Sequence, residues 1–149
     1  MRRFVPPVIA CMLVGLSAAP AARAQDPPPA AASAQAYTFA TGAGILFFYV
    51  RPDRTADFET VVARLSEALD GAQEATRRQQ AASWRMFRSA ESVKDSAIYV
   101  FSFDPAVPGA DYDPVKLLAE VIPTEAQALY EKLKAAIVRV ERMGLARLR

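Results

Sequence analysis

The sequence has no histidine, and its only cysteine among 149 residues is Cys11. Without imidazole there is no Ser-His-Asp triad and no histidine-ligated zinc, copper or haem iron. One cysteine cannot build a disulfide framework. Cys11 also lies in an N-terminal stretch that reads as a removable targeting segment, so no thiolate nucleophile is expected in the mature chain. Such a domain is held by packing alone. Acid or base chemistry would fall to carboxylate, tyrosine or lysine side chains.

A strong charge of either sign is also lacking, the formal value being +2. Met1-Arg2-Arg3, the mostly apolar run from Phe4 to Ala19 and the closing Ala22-Arg23-Ala24 predict a secretory signal over residues 1–24, cleaved after Ala24. The apolar run is too short to remain as a membrane span, so no stable anchor is expected and the protein should be periplasmic or secreted. Cys11 comes too early for a lipoprotein signal, and the residues around Arg2-Arg3 do not complete a twin-arginine pattern. Loss of Arg2, Arg3 and Arg23 takes eighteen basic residues to fifteen, against sixteen acidic ones, for a mature charge of −1. That balance gives no reason to expect nucleic acid or an anionic membrane surface as a partner.

What the chain does have is two runs that are apolar on both faces. Ala97–Asp104 (AIYVFSFD) is rich in β-branched and aromatic residues and is followed by Pro105, which cannot donate into a sheet ladder. Ile98, Val100 and Ser102 alternate with Tyr99, Phe101 and Phe103, so a strand here needs cover on both sides. Ile45–Arg51 (ILFFYVR) has the same character and reads as the first strand.

Around these runs the remaining elements fall into place. Residues 25–38 are a Pro/Ala-rich linker with little apolar bulk, expected to be disordered, and a single α+β domain is expected over 39–142. Phe58, Val61, Val62, Leu65 and Leu69 recur at helical spacing between an expected N-cap at Thr55 and a stop at Gly71. Gln73–Ala82 reads as one or two polar helical turns, and Trp84–Ala90 as a strand joined to the Ala97 strand by a turn over Glu91–Ser96. Asp113-Pro114 is a helix start, cap then proline, for a short helix carrying Val115, Leu118 and Ile122. After Pro123 a long helix is expected with Leu129, Tyr130, Leu133, Ile137 and Val140 on one stripe. Residues 143–149 read equally as a short edge strand or a basic tail.

Strand, helix, strand, strand, helix, with an optional last strand, is the ferredoxin-like split β-α-β order, an antiparallel-type sheet with helices on one face. The uncovered apolar face predicts a partner, and the simplest is a second copy packed sheet to sheet. This order and the doubly apolar strands resemble the dimeric α+β barrel superfamily. That group includes cofactor-independent monooxygenases, small isomerases and decarboxylases, haem-degrading proteins and stress-induced barrel proteins. Phe103–Tyr112 (FDPAVPGADY) and Leu129–Lys134 (LYEKLK) resemble a group of uncharacterised exported bacterial proteins. The resemblance implies a homodimer and carries no catalytic residue onto this chain.

Within such a barrel, Leu46, Phe48, Val50, Ile98 and Val100 are expected to face the helices. Phe47, Tyr49, Arg51, Tyr99, Phe101 and Trp84 would then line the interior, with Tyr49, Arg51, Trp84, Tyr99 and Phe101 as candidate contacts to a small apolar ligand. The competing reading is that these side chains fill the dimer core. Asp104, Asp111 and Asp113 crowd one loop but lack the glycine-anchored alternation of a calcium loop, so no metal and no cofactor is expected. Arg77, Arg78, Arg85 and Arg88 form the densest basic cluster, read as a solvated surface or as a greeting for an anion. The functional expectation is a non-catalytic ligand-binding or interaction module; the alternative is a cofactor-independent monooxygenase-like or isomerase-like enzyme using Tyr49, Arg51, Trp84 and Tyr99.

Overall fold

A computed structural model describes residues 37–148; the expected signal and all but the end of the expected linker lie outside them. The order is β1 (Ala43–Val50), a 3-10 turn (Pro52–Arg54), α1 (Thr55–Asp70), α2 (Ala75–Ser83), β2 (Trp84–Val93), β3 (Ser96–Phe103), α3 (Pro114–Val121), α4 (Ala126–Ala136) and β4 (Ile137–Leu145). This is an α+β chain with one four-stranded sheet in the order β2-β3-β1-β4. Every neighbouring pair is antiparallel. Among the described residues no helix is long and apolar enough to cross a membrane.

The register decides which residues share a face. Leu46 pairs with Phe101, Phe48 with Tyr99 and Gly44 with Phe103, so the even residues of β1 lie beside the odd residues of β3. That combined face is the one the helices cover. Phe58 of α1 packs 4.7 Å from the Tyr99 ring and 5.6 Å from that of Phe48, and Phe48 lies 4.6 Å from Phe101. Val61, Leu65 and Leu69 of α1, Leu117 and Leu118 of α3, and Leu129 and Leu133 of α4 complete the core. Burying each such side chain contributes roughly 1.5–3 kcal/mol, and aromatic pairs at these separations add about 0.5–1.5 kcal/mol.

The expected assignment of faces is therefore corrected on β3. Tyr99 and Phe101, with Trp84 of β2 opposite Phe103, lie under the helices, while Ile98 and Val100 occupy the other face beside Tyr49 and Phe47. Each strand alternates its faces as its own sequence implies, whereas the pairing that joins the two alternations is a long-range property.

Local chemistry sets the element ends. Pro52 fixes the backbone for a 3-10 turn, so α1 has Arg54 as its N-cap and Thr55 is its first residue, not the cap expected. Gly71 closes α1 by donating its N–H to Glu67 O at 3.1 Å. Lys94 and Asp95, at φ 48° and 58°, make a two-residue hairpin turn, and β2 runs on to Val93 where a longer turn was expected. Asp113 Oδ1 accepts from Val115 N at 2.9 Å, with Pro114 at the first helical position, as expected. In α3 this phase buries Pro114, Leu117 and Leu118 and turns Val115 outward.

The long last helix is shorter than the stripe suggested. It stops at Ala136, and Ile137 and Val140 belong to β4, which pairs along β1 from Ile137 opposite Val50 to Leu145 opposite Ala43. Leu133, Ile137 and Val140 fit a helical period, yet Ile137-Val138-Arg139-Val140 is β-branched enough to complete a sheet edge. Ala136 O accepts from Arg51 N at 2.9 Å, tying the helix end to the end of β1.

The segment Phe103–Tyr112 is a structural clasp. Tyr112 is fully buried, its ring 4.1 Å from Phe103 and 5.7 Å from Phe39, and its hydroxyl accepts from Val107 N at 2.8 Å. Ala106 N donates to Gly42 O at 2.7 Å and Tyr112 N to Tyr37 O at 3.0 Å, which fastens the chain before β1 to the chain after β3.

Candidate functional site

The face of the sheet turned away from the helices is the site these elements build. Its two central strands contribute Ile45, Phe47 and Tyr49 from β1 and Ile98, Val100 and Ser102 from β3. Phe87 stands opposite Val100 on one side, and Met143 and Glu141 stand opposite Ile45 and Phe47 on the other. Phe87 and Met143 are each more than half exposed. Ile45, Phe47, Ile98 and Val100 belong neither to the core cluster nor to the apolar groups packed against it. A contiguous apolar surface of this kind is larger than isolated exposed hydrophobics, which need no explanation.

One end of the face is polar and ordered. Tyr49 Oη donates to Glu141 Oε2 at 3.0 Å, and the Arg139 guanidinium lies 3.7 Å from the Tyr49 ring centre while pairing with Glu141 Oε1 at 2.6 Å. The Tyr49 phenol is raised above its ordinary range, first by the bond to Glu141 and then by burial, with Arg139 pulling the other way. The sheet brings these groups together because Tyr49 pairs with Arg139 and Phe47 with Glu141 across β1 and β4. Arg139 and Glu141 escape a helical reading of residues 137–140; their alternation with Val138 and Val140, at period two, is the signal that locates them.

The five expected ligand contacts are divided. Tyr49 is on the open face. Tyr99, Phe101 and Trp84 are beneath the helices, with the Trp84 ring 5.4 Å from those of both Phe101 and Phe103 and its buried Nε1 finding no hydrogen-bond partner among the described residues. Arg51 is exposed just past the end of β1. Tyr99 Oη donates to Glu59 Oε1 at 2.5 Å, and its phenol is pushed up to about 12 by burial, then by that bond and the Glu59 charge.

The remaining polar candidates have structural partners. Asp111 accepts from Asp113 N and from Lys116 Nζ, Asp113 caps α3, and Asp104 pairs with Arg147 at 2.6 Å. The four clustered arginines diverge: Arg77 to Gln80 and Glu120, Arg78 to the carbonyls of Ala72 and Gln73, Arg85 to those of Ala82 and Trp84, and Arg88 to Glu59. Comparisons of the chain with protein-family models, with curated proteins and with solved structures return no match.

Proposed function

We propose that the chain is an exported, non-catalytic binding and interaction module of ferredoxin-like topology that works as a homodimer, two copies meeting through their open sheet faces and enclosing room for a small apolar ligand. The observation that carries this reading is the apolar open face: Ile45, Phe47, Ile98, Val100 and Phe87 are contiguous across three strands and lie outside the core. The element order and the sheet order β2-β3-β1-β4 support the topology. Two twisted sheets packed face to face bury such a surface with no new chemistry, and a mature charge of −1 sets little repulsion between copies. The Tyr49, Arg139 and Glu141 group would lie at the rim, where a satisfied polar cluster is compatible with a buried apolar centre. The basic start, apolar run and Ala22-Arg23-Ala24 support export.

The enzymatic alternative requires Tyr49, Arg51, Trp84 and Tyr99 around one cavity. Within one copy the sheet separates Tyr49 from Tyr99 and Trp84, so we assign no reaction to them.

Native mass spectrometry of the purified protein tests the proposal. A dimer is expected, and a dimer carrying extra mass that mild denaturation releases would identify the ligand. A monomer at micromolar concentration would overturn the reading.

A further inference from the structure

A second surface, on the opposite side of the sheet from the proposed dimer face, carries an inference that does not depend on dimerisation. The helix layer stops short of β2. Helix α2 ends at Ser83, where β2 begins, and Phe58 of α1 packs on Phe48 of β1 and Tyr99 of β3, which leaves a gap between α1 and the edge strand beyond Trp84. Met86 and Arg88 pair with Phe101 and Tyr99, which places them on the helix-covered face, yet Met86 remains 38 % exposed. The result is a cleft of about 320 Å³ between α1 and β2, floored by Tyr99 and Phe101 and walled by Phe58, Val62 and Met86. Its size is at the lower end of the range for small-molecule sites, and its lining is mainly apolar.

The cleft also has a built polar end. Glu59 of α1 accepts from Tyr99 Oη at 2.5 Å and from Arg88 Nη1 at 3.0 Å, both on Oε1, so Oε2 takes part in neither bond. Tyr99 is 5 % exposed and fixed in the sheet, while the Arg88 side chain, on the edge strand, is 56 % exposed. The Arg88 guanidinium lies 5.8 Å from the Tyr99 ring centre. It thus makes the two interactions that a cationic ligand head would make here, a charge-assisted bond to a carboxylate and a contact with an aromatic ring. An exposed ion pair of this kind is weak, since water solvates both partners, so the tethered cation is easily displaced. Once Arg88 swings away, the group left at the end of an apolar cleft is an anion held in place by a buried tyrosine.

We propose that the α1/β2 cleft binds a small amphipathic amine, its apolar body between Phe58, Val62 and Met86 and its ammonium group taking the place of the Arg88 guanidinium on Glu59 above the Tyr99 ring. Arg88 is then an intramolecular competitor that keeps the carboxylate paired while the cleft is empty.

The test uses the purified full protein with 2-phenylethylamine and 3-phenylpropionate as matched probes of opposite charge, followed by calorimetry and by the emission of Trp84, the only tryptophan, whose ring is 5.4 Å from Phe101 in the cleft floor. Saturable binding of the amine and weaker binding of the carboxylate are expected. Glu59→Gln should weaken the amine about tenfold or more, through loss of the charge-assisted bond. Arg88→Ala should leave amine binding intact or tighten it. Ala63→Phe, at an exposed α1 position lining the cleft, should block binding while thermal unfolding shows the fold retained. Tighter binding of 3-phenylpropionate, lost in Arg88→Ala, would overturn the assignment in favour of an anion site. Absence of saturable binding of the amine, or amine binding that survives Ala63→Phe, would overturn it as well.

Discussion

The ring of Phe39 lies against the backbone of Gly44, in the space that a Cβ at residue 44 would occupy. The contact places Phe39 5.5 Å from the Phe103 ring, on the strand partner of Gly44, and seals one end of the core. Gly44→Ala therefore forces Phe39 out of a packed position. The expected cost is about 1–3 kcal/mol, the range for overpacking in a tight interior, read as a lower midpoint in chemical denaturation with an unchanged m-value. An unchanged midpoint would mean that Phe39 does not pack on β1 in solution.

Tyr112→Phe keeps the ring contacts to Phe103 and Phe39 and removes the hydroxyl that accepts from Val107 N and also interacts with the Ser83 side chain. A fully buried N–H left without a partner costs about 1–3 kcal/mol, and this bond is part-buried, so the expected loss is about 1 kcal/mol. Hydrogen exchange should show the Val107 amide among the most affected, since the lost bond is local.

Much of this architecture is legible in residues taken singly or in short runs. Asp113-Pro114 announces a helix, Gly71 stops one, and Ile45–Val50 and Ala97–Phe103 announce strands because each signal acts within a few residues. The faces were not legible, since Ile98 and Tyr99 are both apolar and only the register with β1 says which one meets Phe58. The same holds for Ile137 and Val140, which satisfy period 3.6 and period 2 until pairing with β1 decides between them. The Glu59, Arg88 and Tyr99 cluster joins three elements distant in sequence, and no local spacing announces it.

Stability should fall in alkaline solution from about pH 10. The phenol of Tyr99 is raised to about 12 from an ordinary value of 10.0, so between those values the unfolded chain has given up this proton while the folded chain keeps it. The folded state then binds more protons, and stability declines as pH rises. The contribution is complete below pH 10 and is lost progressively toward pH 12. Tyr37, Tyr49 and Tyr112 are raised as well and add to the slope in the same direction. Denaturation midpoints measured from pH 8 to pH 11.5 should show this fall, and Tyr99→Phe should make it shallower.

Lys94 and Asp95 both hold positive φ in the β2–β3 turn, a geometry that costs most side chains about 1–2 kcal/mol per residue. Asn-Gly is the pair best suited to a two-residue turn with φ > 0 at both positions. The double substitution Lys94→Asn with Asp95→Gly should raise stability by roughly 0.5–1 kcal/mol, less than the full relief because glycine also loosens the unfolded chain. Thermal unfolding of the pair against the parent measures it.

Leu46 and Phe47 are neighbours in β1 with opposite environments: Leu46 is fully buried under the helices, and Phe47 lies between Val100 and Glu141 on the open face. An aspartate at residue 46 would be an unpaired charge in the core, which costs several kcal/mol and exceeds what a domain of this size can spare. Leu46→Asp should therefore fail to fold, as judged by circular dichroism. Phe47→Asp puts the same charge on a surface that is wet in the single copy, so the fold should survive with a loss of about 1 kcal/mol or less. In the proposed dimer that aspartate would face its own two-fold mate across a dry interface, and the like charges should shift the population to monomer in sedimentation velocity. If Phe47→Asp instead unfolds the chain as Leu46→Asp does, residue 47 is covered within one copy and the open face has been assigned wrongly. If it folds and leaves the sedimentation coefficient of a dimer unchanged, the copies meet elsewhere.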